Sequence, residues 1–318
     1  MIQIFRDANY NFIGNRKWAY IVSGLITVIG LVSLVTHGLR YDIDFTGGTL
    51  VQVRFDKTPS VGTIRSALSR IGLGESIIQE FGSSNEFILR MPLASTSSEE
   101  LGKRIEGALA QEPSIGKAEL RRVEFVGPQV GKELQWQAIY AVLFGLGGIL
   151  LYIALRFDMK GGVAAVIAVF HDVLVCLGAI SLAHREFSLP VLAALLTIIG
   201  YSVNDTIVAY DRLRENRGKT IAKGKTFAVQ MNDAVNQTLS RTILTALTTF
   251  LSAVILFIFG GRALEDFAFV LVVGVITGTY STTYIAAALV VDWTEYVEGR
   301  MRARKKGVVK AGEARKIT

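Results

Sequence analysis

The chain holds a single cysteine in 318 residues, and only 19% of its residues are charged. Cys176 alone can form no disulfide within the chain, which excludes a disulfide-stapled secreted module. Charge is nearly absent from six long runs: Trp18–Val35, Trp136–Leu155, Gly162–Ala183, Leu189–Tyr210, Thr242–Phe259 and Phe267–Val291. A helix rises about 1.5 Å per residue, so roughly 20 residues cross a hydrocarbon core about 30 Å thick. Each run is long enough to span, and together they exclude a soluble enzyme and a disordered tail protein. No A-x-A-like cleavage site follows the first run in Thr36-His37-Gly38-Leu39-Arg40, so that run is expected to be a retained anchor rather than a removed signal peptide.

The net charge of +7 is distributed by topology. Arg6, Arg16 and Lys17 precede the first run, and Arg156 and Lys160 separate the second from the third. Arg212, Arg214, Arg217, Lys219, Lys223 and Lys225 lie between the fourth and fifth, and eight Lys/Arg follow the sixth. The short loops of the opposite face carry one each, Arg185 and Arg262. Lys/Arg excess in short loops marks the cytoplasmic side. Both termini are therefore expected in the cytoplasm, and the basic excess reports orientation rather than nucleic-acid binding. The expected layout is a cytoplasmic N-terminus (1–17), a first span (18–35), an external domain (38–135), spans two to six (136–292) and a basic cytoplasmic tail (293–318).

The external stretch alternates its elements. Leu50–Phe55 places Val51, Val53 and Phe55 on one face and Gln52 and Arg54 on the other, a strand. Val61, Ile64, Leu68 and Ile71 recur at helical spacing, with Ser60 as N-cap and Gly72 as the stop. Ile77–Phe81 and Phe87–Met91 flank the turn Gly82-Ser83-Ser84-Asn85, a hairpin signal. Ser97-Ser98-Glu99-Glu100 holds a capping box before Leu101, Ile105 and Leu109, and Leu120–Val126 is a last strand. The order is βαββαβ, so the expected fold is an α-helical membrane protein of six transmembrane helices plus a small α+β ferredoxin-like domain. No His/Cys cluster, nucleophile–base pair or Gly-rich phosphate loop occurs in that domain. It is expected to be a docking surface without enzymatic chemistry, cofactor or metal.

Only two formally charged side chains lie inside the six runs, Asp172 and Asp205, with His171 beside the first. A mid-span carboxylate costs about 2.5–3.5 kcal/mol on insertion scales and marks a functional candidate. Asp205 falls about 7.5 Å short of the expected cytoplasmic end of its helix, and Arg241 stands at the cytoplasmic start of the fifth run. An Asp205–Arg241 pair could open when Asp205 takes up a proton and close when it releases it. Asp172 with His171 could equally be an interhelical staple or part of an ion path. Thr242, Thr245, Thr248 and Thr249 could relay protons, threonine-rich packing being the commoner role. Gly145, Gly147 and Gly148 are expected to permit close helix packing.

Several strings resemble one family. They are Asp42-Ile43-Asp44-Phe45-Thr46-Gly47-Gly48-Thr49, Val126-Gly127-Pro128-Gln129-Val130-Gly131, His171-Asp172, Gly200–Asn216 and Ser240-Arg241-Thr242. The chain resembles the SecF subunits of bacterial SecD–SecF complexes, in the resistance-nodulation-division superfamily. That resemblance implies a proton-driven helper of the Sec channel in the bacterial inner membrane, acting on late stages of preprotein export. It implies a SecD-type partner, the Sec channel and insertase, and unfolded preproteins as partners, besides the lipid bilayer. It maps the proton pathway onto Asp205 and Arg241, and less directly onto Asp172 and His171. Two other readings remain: half of a proton-driven small-molecule or lipid exporter, and a non-transporting scaffold that stabilises the translocase. The residues themselves do not distinguish proton from sodium as the coupling ion.

Overall fold

The computed structural model describes residues 5, 8–81, 83–91, 98–217 and 224–314. The turn residue Gly82, the capping residue Ser97, and the cations Arg6, Lys219 and Lys223 lie outside these residues. Helix α1 (Arg16–Thr36) leads into a two-residue strand β1 (Arg40–Tyr41) and a short helix α2 (Ile43–Thr46). An α+β unit follows: β2 (Gly48–Phe55), α3 (Val61–Ser69), β3 (Ile77–Phe81), β4 (Ser83–Met91), α4 (Ser98–Ala110) and β5 (Ala118–Val126). The chain then runs through α5 (Pro128–Arg156), α6 (Met159–Leu182), β6 (Glu186–Phe187), α7 (Leu189–Arg217), α8 (Phe227–Phe259) and α9 (Arg262–Ser281). A π-helical turn (Thr282–Ala286) passes into α10 (Ala287–Ala314).

The α+β unit has the expected ferredoxin-like topology, with sheet order β3-β4-β2-β5 and every neighbour antiparallel. Alternation in β2 decides the packing: Val51, Val53 and Phe55 are buried and join Ile64 and Leu68 of α3 and Ile105 and Leu109 of α4 in one apolar cluster. Ser60 caps α3 by accepting from Thr63 N at 3.1 Å. The helix ends at Ser69, and Gly72 takes a φ of +79° just beyond it.

Among the described residues six helices are long and apolar enough to cross a membrane, one from each predicted run. Four extend well past the runs, the sixth from Arg262 through the π turn and α10. Helix α5 begins at Pro128 rather than Trp136 because Pro is favoured in the first turn, where no N–H partner is needed. Helix α7 continues beyond Tyr210 to Arg217, so Asp205 lies farther from its end than the run implied. Helix α8 begins at Phe227 rather than Thr242. Thr226 caps it, and Met231, Ala234, Val235 and Leu239 bury one face at helical spacing. A search for charge-free runs stops at Arg241, whereas an amphipathic helix continues past it.

The glycines that permit close helix approach are not those of α5. A Cβ on Gly145, Gly147 or Gly148 would meet nothing within 4 Å among the described residues, correcting the expected packing role. Close approach occurs between α1 and α6, where a Cβ on Gly178 would lie 2.5 Å from Gly30 Cα.

The α+β unit is tied to the helices at one junction. Strand β1 pairs in parallel with β6, Arg40 opposite Glu186 and Tyr41 opposite Phe187. The next turn holds Gly47 and Gly48 at φ +72° and +139°, where a Cβ on Gly48 would sit 2.7 Å from Met91 O. Only glycine adopts these conformations without strain.

Candidate functional site

Two buried carboxylates lie between the helices. Asp172 on α6 is 1% exposed and joins three helices: Ser202 Oγ of α7 and Ser281 Oγ of α9 each donate to its Oδ2 at 2.7 Å. His171 Nδ1 lies 3.1 Å from Asp172 Oδ1, and its buried Nε2 has no hydrogen-bond partner among the described residues. Beside this cluster Thr206 and Thr282 hydroxyls meet at 3.1 Å, and Thr282 also donates to Ser202 O at 3.3 Å. The π turn starts at Thr282, directly after Ser281, and Tyr210 OH donates to its Ala286 O at 3.2 Å. Single π turns inside α-helices concentrate at functional sites.

Asp205 on α7 is 8% exposed and is held differently. Thr242 Oγ1 of α8 donates to its Oδ1 at 2.7 Å, and its buried Oδ2 has no hydrogen-bond partner among the described residues. Arg241 is adjacent to Thr242 in sequence but forms no ion pair with Asp205, whose Oδ1 is bonded by Thr242 instead. The Arg241 side chain is exposed and lines a cleft of about 930 Å³ between α5, α7 and α8, together with Tyr152, Arg156, Asp211 and Gln237. Of the five threonines on α8, Thr242 is the one whose hydroxyl bonds Asp205, and Thr238 donates to Ala234 O at 3.1 Å. Thr245, Thr248 and Thr249 donate to carbonyls of their own helix.

Charged groups also collect at the junction with the α+β unit. Asp44 Oδ2 accepts from Leu189 N at 3.2 Å, so it caps the first turn of α7. Arg90 of β4 ion-pairs with Asp42 at 3.3 Å and with Glu186 of β6. Burial lowers the Arg90 pKa, while the fields of Asp42, Asp266 and Asp44 oppose that shift. Arg185 pairs with Glu265 at 3.0 Å and Asp266 at 2.6 Å, and Glu186 N donates to Asp266 Oδ2 at 3.3 Å. Gln135 Nε2 donates to Phe45 O at 2.6 Å, fastening the start of α5 to α2. Helix α7 thus carries Asp205 beyond its midpoint and this cap at its first turn.

Residue spacing did not point to Ser202, Ser281, Arg90 or Glu186. Arg90 alone left a signal, as a charge within the apolar strand Phe87-Ile88-Leu89-Arg90-Met91. The serines are common in apolar helices and become donors only once α6, α7 and α9 meet.

The family model described as protein export membrane protein SecD/SecF, C-terminal, matches residues 108–296, and the SecD/SecF GG motif model matches residues 32–59. The chain is 46% identical to a protein translocase subunit SecF from Desulfurispirillum indicum, over 92% of this chain and 94% of that one. It is 41% identical to the SecF subunit of Pseudomonas aeruginosa, over 88% of this chain and 90% of that one. Among solved structures, it superposes on SecDF from Thermus thermophilus, described as a translocon-associated membrane protein, with a TM-score of 0.81 and 40% identity. That match covers 93% of this chain but only 40% of the other chain's length. The GG motif match falls on the turn whose positive-φ glycines join the α+β unit to the helices, and the larger match takes in both buried carboxylates. This multi-pass membrane protein belongs to the SecD/SecF family of protein-export membrane proteins, among its SecF subunits.

Proposed function

We propose that this Sec translocase accessory subunit uses an ion gradient, carried by protons, to promote late stages of preprotein export, with Asp205 as the group that takes up and releases the proton. It works beside a SecD-type subunit, with the Sec channel, the insertase and emerging preproteins as further partners. It sits in the inner membrane with both termini in the cytoplasm. The observation that carries this reading is the state of Asp205: buried, held by one hydroxyl, with its second oxygen unpartnered. A proton can add there without displacing a hydrogen bond. A charge moved across the membrane is worth about 2.3 kcal/mol per 100 mV, enough to bias two helix arrangements.

Arg241 supports the reading by its place in a cleft close to Asp205. When Asp205 takes up a proton, the α7–α8 contact that Thr242 makes with its carboxylate can relax beside Arg241. Asp172 and His171 would form a second polar step between α6 and α9, which also serves as a staple. Helix α7 offers a rigid route outward, since its first turn is capped by Asp44 beside the Arg90 pairs. Asp205→Asn should abolish the gradient-dependent stage of export in inverted membrane vesicles while leaving membrane insertion unchanged. Full gradient-dependent export in that variant would overturn the reading.

A further inference from the structure

The segment before α1 does not run free. Tyr10 N donates to Asn236 Oδ1 at 2.8 Å, and Tyr10 O accepts from Asn236 Nδ2 at 2.9 Å and Asn232 Nδ2 at 3.0 Å. Ile13 N donates to Asn232 Oδ1 at 3.2 Å, and Phe5 N to Ser240 Oγ at 3.2 Å. Asn232, Asn236 and Ser240 are four residues apart, so they form one polar stripe on the part of α8 that precedes the apolar run. The stripe ends next to Arg241 and Thr242. Asn236 is 8% exposed and bonds both the N–H and the C=O of Tyr10, as a neighbouring strand would.

The same segment grips the other side of the bundle. Ile13 is buried in the main core cluster, and the Phe12 ring stands edge-on to Tyr284 in the π turn at 5.7 Å. Arg16 pairs with Asp292 at 2.7 Å and Glu295 at 3.0 Å, and Tyr20 OH donates to Asp292 at 2.9 Å. Residues 8–16 therefore connect the cytoplasmic end of α8 to the π turn and α10. These are the elements beside Asp205 and Asp172.

We propose that this segment is a strap that sets the placement of α8 against α7, and that Asn232 and Asn236 are positioning residues for Thr242 and Arg241. The inference rests on the proposed role of Asp205. A plain helix contact would need apolar packing only. Two asparagines satisfying both backbone polar groups of one residue instead fix α8 in rotation and along its axis, because side-chain amide bonds are directional. A rotation that moved Thr242 off Asp205 would leave that carboxylate without its hydroxyl donor.

The test uses the full chain with its partner subunit in membrane vesicles. Asn216 Nδ2 donates to Gln237 Oε1 at 3.0 Å between the cytoplasmic ends of α7 and α8, so nitroxide labels on Asn216→Cys and Gln237→Cys report their spacing through dipolar broadening. Asn236→Leu should abolish that broadening and lower gradient-dependent export about tenfold, roughly the worth of one net hydrogen bond in α8 placement. Tyr10→Pro, which removes the donor from the strap and leaves α8 untouched, should do the same. It also guards against Asn236→Leu failing to fold. Unchanged broadening in both variants would overturn the strap whatever export does. If Asp205→Asn keeps its export while the broadening is lost in both strap variants, the strap stands as a placement device and the Asp205 role fails.

Discussion

Asp172 and Asp205 are the same residue type at similar burial, yet their donors set them apart. Asp172 accepts two serine hydroxyls on one oxygen and faces His171 with the other, so its bonds span three helices. Replacing it with Asn removes the charge and one of the two acceptor oxygens through which it joins the three helices. Asp172→Asn should cost about 1–3 kcal/mol of bundle stability, read as a lower unfolding midpoint of detergent-purified protein. Asp205 depends on Thr242 alone. Thr242→Val keeps the shape and removes the hydroxyl, so gradient-dependent export should fall while Thr242→Ser retains it. Equal export from the valine and serine variants would deny that hydroxyl a role. Both carboxylates were legible as exceptions in charge-free runs. Their donors were less so: Thr242 is one of four threonines in its run, and Ser202 and Ser281 differ in no feature of spacing from the other hydroxyls around them.

Elements show where backbone conformation, rather than hydrophobicity, does the positioning. At Gly47 and Gly48 the chain turns from α2 into β2 with positive φ at both residues. Gly48→Ala would press a methyl on Met91 O and impose about 1–3 kcal/mol of strain, read as faster proteolysis of the α+β unit. Asp44, just before that turn, caps α7. Burial raises its carboxyl above the ordinary carboxylate value, with the Leu189 amide opposing. A carboxyl that holds its proton more tightly when folded lends stability below the ordinary range and loses it as pH rises through the raised value. The stability advantage of the parent over Asp44→Asn should therefore shrink on going from about pH 4 to about pH 7, measured by unfolding in detergent. Helix existence was readable from apolar runs, and the βαββαβ order from alternation and caps. Helix length was not, since α8 continues as an amphipathic helix on the near side of Arg241.

At the scale of the molecule, the helical bundle and the α+β unit meet at Arg90, Asp42, Glu186, Arg185 and Asp266. Removing Arg90 leaves Asp42 and Glu186 without their shared cation. Arg90→Ala should sharply lower export at normal insertion and with the α+β unit still folded, as judged by its protease resistance. Retained export would mean that the unit works without this joint. Local spacing and the cost of placing charge in hydrocarbon are enough to read off the spans, the βαββαβ order and the two exceptional carboxylates. Helix packing settles which hydroxyl serves which carboxylate, that Arg241 faces a cleft instead of pairing with Asp205, and that Asn236 holds the segment before α1. Those outcomes depend on the rotation of one helix against another, and contacts between residues dozens to hundreds of positions apart set that rotation.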